Sequence, residues 1–136
     1  MEWHVYVDGA SSGNPGESGA GVIAFNEKGQ ELFRDSIYLG HMTNNMAEYE
    51  ALVHALKKAY QASVKNLFVY TDSLLVANQI TGKYKIKNQG LMKYAETAKF
   101  IIKSFNNFTL QYIPRQKNTL ADKLAKEAVY YKGVDR

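Results

Sequence analysis

Residues 3–26 read WHVYVDGASSGNPGESGAGVIAFN, and how this stretch folds decides the architecture. Trp3 to Asp8 alternates and is rich in β-branched and aromatic residues, which predicts a strand. Ala10 to Gly19 is a run of Gly, Ser, Asn and Pro and reads as a turn-rich loop. Ala20 to Asn26 returns as a second strand. Beyond it, Glu27-Lys28-Gly29-Gln30 has the composition of a tight hairpin turn, and Glu31 to Leu39 supplies a third strand. The chain therefore opens with an antiparallel meander.

Working outward, the pattern changes from β to alternating α and β. Thr43 is placed to cap a helix, and Asn45 with Glu48 three residues later resembles a capping box. Tyr49, Leu52, Val53, Leu56 and Tyr60 then recur at helical spacing. Asn66 to Thr71 reads as a short buried strand and Ser73 to Ile80 as a short helix. Asn88 to Phe105 is a longer helix with Leu91, Tyr94, Ala95, Ala98 and Ile102 on one side. Phe108 to Ile113 is a last strand ended by Pro114, and Asn118 caps a final helix whose stripe is Ala121, Leu124, Ala125 and Ala128. The order β-β-β-α-β-α-α-β-α predicts an α/β fold, a mixed five-stranded sheet with helices on its faces. A chain of 136 residues, 46% hydrophobic, is read as a single domain over 1–136, with 132–136 as a frayed tail.

Composition narrows the chemistry. There is no cysteine, so disulfides and thiolate metal sites are excluded, which suits a reducing, cytoplasmic setting. No apolar run approaches the roughly 20 residues of a membrane span, so no membrane partner is expected. The start MEWHVYVDGA has neither the basic opening nor the apolar stretch of a signal peptide. A net charge of +4 permits nucleic-acid binding without arguing strongly for it.

Four acids fall at element ends: Asp8 after the first strand, Glu48 early in the first long helix, Asp72 after the fourth strand, and Asp122 at the start of the last helix. Each has an ordinary reading. Asp8 is a turn former before glycine, Asp72 a helix cap, and Glu48 and Asp122 are favoured in a first turn by the helix macrodipole. Together they lie where the sites of mixed sheets gather, at strand ends and helix N-termini. Converging carboxylates resist joint ionisation unless cations are present. Two Mg²⁺ would balance four such charges with hard oxygen ligands, and such a pair activates both ends of a phosphoryl displacement.

The segments DGASSGNPG (Asp8 to Gly16), GAGVI from Gly19, TNNMAE (Thr43 to Glu48), VYTDS (Val69 to Ser73) and IPRQKNTLADKLA (Ile113 to Ala125) follow one another in an order and spacing that resembles the type-1 ribonuclease H family. The match runs from about Val5 to Ala128. The resemblance implies the ribonuclease H-like fold, with sheet order 3-2-1-4-5 and the second strand antiparallel to the others. It implies that Asp8, Glu48, Asp72 and Asp122 ligate two Mg²⁺ ions, for which Mn²⁺ can substitute. Asp8 would bridge both ions, Asp122 would serve the one that activates water, and Glu48 and Asp72 the one near the leaving 3′ oxygen. The activity implied is endonucleolytic hydrolysis of the RNA strand of an RNA–DNA hybrid, leaving 5′-phosphate and 3′-hydroxyl ends, by a monomer.

The remaining motif residues look like substrate contacts. The resemblance places Asn14, Asn44 and Asn45 near RNA 2′-hydroxyls, where an amide suits a group that both donates and accepts, and Gly9 and Ser11 of the Gly-rich segment among the substrate-binding residues. Thr43 matches a DNA-phosphate contact, and Ser73 falls in the VYTDS motif. Lys83, Lys85 and Lys87 alternate with Tyr84 and Ile86, and this stretch reads as a surface facing the nucleic-acid backbone. The chain resembles short bacterial or archaeal members that lack a histidine in the loop before the last helix. That loop here is Pro114-Arg115-Gln116-Lys117-Asn118, while His4, His41 and His54 lie elsewhere. Arg115 or Lys117 is the candidate phosphate contact there. Two other classes stay open at this point: a catalytically weak or silent nucleic-acid- or protein-binding module on the same scaffold, and a DNA-cutting relative.

Overall fold

The computed structural model describes residues 1–132. The frayed tail expected over 132–136 falls, from residue 133 onward, outside them. The elements are β1 (Glu2–Ser11), β2 (Gly16–Asn26), β3 (Glu31–Met42), α1 (Asn44–Gln61), β4 (Asn66–Thr71), α2 (Leu74–Ile80), α3 (Gln89–Ile102), β5 (Asn107–Tyr112) and α4 (Thr119–Tyr131), with a 3-10 turn at Arg115–Lys117 before α4. The strands form one sheet in the order β3-β2-β1-β4-β5. β2 runs antiparallel to β1 and β3, and β4 runs parallel to β1 and β5. The element order predicts the mixed five-stranded sheet, and the strand order and orientation are those that the family resemblance implies.

The Gly- and Ser-rich run is the main departure from the expected elements. Ala10 to Gly19 is not a long loop. Ala10 pairs with Gly19 and Ser11 with Ser18, so only residues 12–15 turn. The glycines are there for packing. A Cβ on Gly21 would lie 2.1 Å from the Ala121 carbonyl oxygen, and one on Gly19 would lie 2.5 Å from that of Ala125. Their absence lets α4, through Ala121, Ala125 and Ala128, lie directly on β2. β3 also runs on to Met42 rather than stopping near Leu39, because its last residues pair with the extended β2.

On the opposite side, Val5, Val7, Leu67 and Val69 of the central strands meet Leu52, Leu56, Leu91 and Ala98 of α1 and α3. Each fully buried aliphatic side chain contributes about 1.5–3 kcal/mol. α1 buries Tyr49, Leu52, Val53 and Leu56 as its stripe predicts, and adds Ala47, Ala51, Ala55 and Ala59. Tyr60, expected on that stripe, is 61% exposed in the last turn. α3 ends at Ile102, short of the expected Phe105, because the chain turns at Ser104 and Phe105 to enter β5. On the α4 side of the sheet, His4 stacks on Phe68 and Tyr6 on Tyr70, with ring centroids 4.7 Å apart in both pairs. The rings thereby cover one another.

Candidate active site

β1 and β4 are parallel neighbours at the centre of the sheet, with Val7 opposite Thr71. The residues that follow, Asp8 and Asp72, therefore emerge side by side at the carboxyl edge. α1 brings Glu48 to the same edge because Gly9 has no side chain: a Cβ there would sit 2.4 Å from the Glu48 nitrogen. Gly9 N–H donates to Glu48 Oε1 at 2.6 Å. Asp8 and Glu48 are buried, and one carboxylate oxygen from each of Asp8, Glu48 and Asp72 lies within 4.8 Å of the others. Asp122, in the first turn of α4, lies near enough for its carboxyl to push the Asp8 pKa up. It lies outside the cluster of three, and its Oδ2 is 3.0 Å from Lys126 Nζ.

Several ordinary readings of these residues fail on the geometry. Glu48 does not close a capping box. Thr43 Oγ1 caps α1 by accepting from Met46 N–H at 3.2 Å, and the Glu48 carboxylate is spent on Gly9. Asp72 does not cap α2, because Ser73 Oγ does so on Val76 N–H. Asn118 stands at the N-cap of α4 but makes no side-chain capping bond. Its Nδ2 instead donates to the Val7 carbonyl at 2.9 Å and stands 3.5 Å from Asp72 Oδ2. From the sequence, Asn118 reads as a cap alone. Its spacing four residues before Asp122 was the only available sign of more.

The electrostatics follow from burial. Burial pushes the Asp8 carboxyl well above the usual carboxylate range, and the neighbouring Glu48, Asp72 and Asp122 push it further. Burial also raises Glu48, which the Gly9 N–H and the more distant Arg115 partly offset. Burial thus favours the protonated forms of Asp8 and Glu48, and nearby cations would favour the ionised ones.

The other expected site residues lie along β1 and its turn, at the starts of α1 and α2, and between α2 and α3. Asn14 Oδ1 accepts from Asn44 N–H at 3.0 Å, tying the β1–β2 turn to the start of α1. Asn45 is exposed beside it. Ser11 donates to the Gly13 carbonyl. Gly9 gives its N–H to Glu48, so its part here is to seat α1. Lys83, Lys85 and Lys87 are all exposed in the segment between α2 and α3.

Comparison with known proteins agrees with this fold. The family model described as "Reverse transcriptase-like" matches residues 6–128. A ribonuclease HI of Halobacterium salinarum is 34% identical over 126 residues, which is 93% of this chain and 63% of that protein. A bifunctional protein of Mycobacterium tuberculosis is 33% identical over 130 residues, 95% of this chain and 36% of its own length. The chain thus spans between about a third and two thirds of these relatives. The RNase H1 structure from H. salinarum superposes with a TM-score of 0.92 at 33% identity, covering 96% of this chain and 98% of that one.

The chain belongs to the type-1 ribonuclease H family.

Within that family, LC11-RNase H1, solved in complex with an RNA/DNA hybrid, superposes with a TM-score of 0.89 at 36% identity over 96% of this chain and 98% of that one. Among the described residues no helix is long and apolar enough to cross a membrane. The donor set fits the divalent cation on which ribonuclease H chemistry depends. It offers carboxylate oxygens only, they converge within 4.8 Å, and their burial makes a bound cation the natural relief of their repulsion.

Proposed function

We propose that this chain hydrolyses the RNA strand of an RNA–DNA hybrid, leaving 5′-phosphate and 3′-hydroxyl ends. The convergence of Asp8, Glu48 and Asp72 at the sheet's carboxyl edge, with Asp122 close enough to act on Asp8, carries this reading. These four residues would hold two Mg²⁺ ions, or Mn²⁺ in their place. The bound pair supplies activation of the attacking water and neutralisation of charge on the leaving oxygen.

The chain's own residues bind and orient. Asp8, whose charge is felt by Glu48, Asp72 and Asp122 alike, would be the ligand common to both ions. Asp122, from α4, would serve the one that activates water, and Glu48 and Asp72 the one near the leaving oxygen. Gly9 N–H fixes one oxygen of Glu48 and so its orientation. Thr43 and Ser73 each accept a backbone N–H through the hydroxyl oxygen, which leaves their own O–H groups to donate to phosphate. Asn14 is bonded to the start of α1 at Asn44, with Asn45 next in the chain, and these amides suit the 2′-hydroxyls that distinguish RNA. Lys83, Lys85 and Lys87 would provide the backbone-facing charge, and Arg115, whose charge reaches Glu48, or Lys117 would meet a phosphate.

The test is an end-labelled hybrid incubated with Mg²⁺ or Mn²⁺ beside duplex DNA and duplex RNA. The expected result is cleavage of RNA in the hybrid alone, lost in Asp72→Asn. Binding without cleavage in either metal, or cutting of duplex DNA, would overturn the reading.

A further inference from the structure

Asn118 is the most deeply buried polar side chain at the site that the reading above leaves without a task. It is 1% exposed. It stands where a side chain normally caps a helix, yet it caps nothing. Its Nδ2 donates to the carbonyl of Val7, the residue before Asp8, at 2.9 Å, and lies 3.5 Å from Asp72 Oδ2. Its own carbonyl accepts the Asp122 N–H at 3.1 Å. One residue therefore touches Asp72 directly and the backbone next to, or of, Asp8 and Asp122.

This arrangement is a poor choice for folding alone. It leaves the start of α4 without a side-chain cap, and Asn118 Oδ1 is buried with no partner among the described residues. An apolar side chain of the same branched shape would avoid burying that unmatched oxygen. The amide makes sense as a neutral donor beside a carboxylate that must keep its charge. A lysine or arginine there would neutralise Asp72 and compete with a cation. An amide orients one oxygen and leaves the charge in place.

We propose that Asn118 is a positioning residue that holds Asp72 and the end of β1 in the relative placement that divalent-ion binding requires. The proposal rests on the metal-dependent reading above. Mn²⁺ titration by calorimetry on the folded protein tests it, using the wild type, Asn118→Leu, Asp72→Asn and the double variant. Asn118→Leu keeps the branched shape, whereas Asn118→Ala opens a hole under α4. The expected result is that the leucine variant melts within a few degrees of wild type but binds Mn²⁺ roughly tenfold more weakly, the scale typical of lost support around a metal ligand. In the Asp72→Asn background the same change should alter affinity by less than about threefold, because coupled residues are non-additive.

An unchanged affinity in Asn118→Leu overturns the proposal, whatever its melting temperature. So does a loss that is fully additive with Asp72→Asn, because Asn118 would then act elsewhere. If the wild type binds no Mn²⁺ and cuts no hybrid, the functional reading fails and takes this inference with it. If it does both and the leucine variant matches it, only this inference fails.

Discussion

Replacing Gly9 by alanine adds one methyl group at the point where α1 touches β1, and the consequence follows from measured distances. The new Cβ would lie 2.4 Å from both the Ala47 carbonyl carbon and the Glu48 nitrogen, and 2.7 Å from the Ala47 oxygen. All three are backbone atoms, so no side chain can swing away. Restoring ordinary contact near 3.4 Å requires the first turns of α1 to retreat by about 1 Å. Glu48 sits on that segment, held by a 2.6 Å bond from Gly9 N–H, and would move with it. Overpacking of this kind costs about 1–3 kcal/mol, which for a chain of this size lowers Tm by roughly 4–12 °C. Misplacing a catalytic group by about 1 Å costs on the order of 100-fold in rate. Single-turnover cleavage of a labelled hybrid at saturating metal, beside a thermal melt, measures both. Activity within threefold of wild type in Gly9→Ala would refute the claim that the close approach of β1 and α1 sets the position of Glu48.

Other outcomes follow from the same site. Asp8 and Glu48 have raised pKa values in the folded chain, so without metal the folded state binds more protons than the unfolded one. Stability in EDTA should therefore be greatest near the ordinary carboxyl range and fall as pH rises through neutrality. Melting curves should show this slope flattened in Asp8→Asn and offset by Mn²⁺; a metal-free Tm that climbs with pH would contradict it. Replacing Lys83, Lys85 and Lys87 together by alanine should weaken hybrid binding and reduce the salt slope of log K by up to about 3, with cleavage at saturating substrate little changed. An unaltered slope would remove these lysines from the interface. Asn44→Ala combined with Asn45→Ala should weaken binding to hybrid more than to duplex DNA by about tenfold, as read by competition. Equal losses would mean that the amides do not read the 2′-hydroxyl.

The sheet was legible because its strands differ in kind. Three strand-like segments, parted by the Gly- and Ser-rich run and by Glu27-Lys28-Gly29-Gln30, give the meander. Asn66–Thr71, flanked by helical stripes, gives a further strand whose place beside β1 the family resemblance supplies. The Gly- and Ser-rich run misled because composition does not distinguish a glycine that turns from one that admits a helix. Gly19 and Gly21 lie in β2, and only the position of α4, distant in sequence, explains them. The positions of the four acids were legible from element ends, but their partners were not. Glu48 has the spacing of a capping residue, and its bond to Gly9 depends on α1 crossing β1. Asn118 has the identity and place of a cap, and its turn toward Val7 and Asp72 becomes visible only once β1, β4 and α4 meet. Local rules name the residue type at a helix start; they do not say which of two nearby acceptors wins.

The central claim is that carboxylates from β1, α1, β4 and α4 share divalent ions. Anomalous scattering from Mn²⁺-soaked crystals of Asp72→Asn and wild type, with an inert hybrid bound, tests it most directly. In the wild type the account predicts two peaks about 3.5–4 Å apart, both within ligand distance of Asp8, with the one nearer Glu48 weakened in Asp72→Asn. Manganese found elsewhere, or none at Asp8 with the hybrid in place, would contradict it.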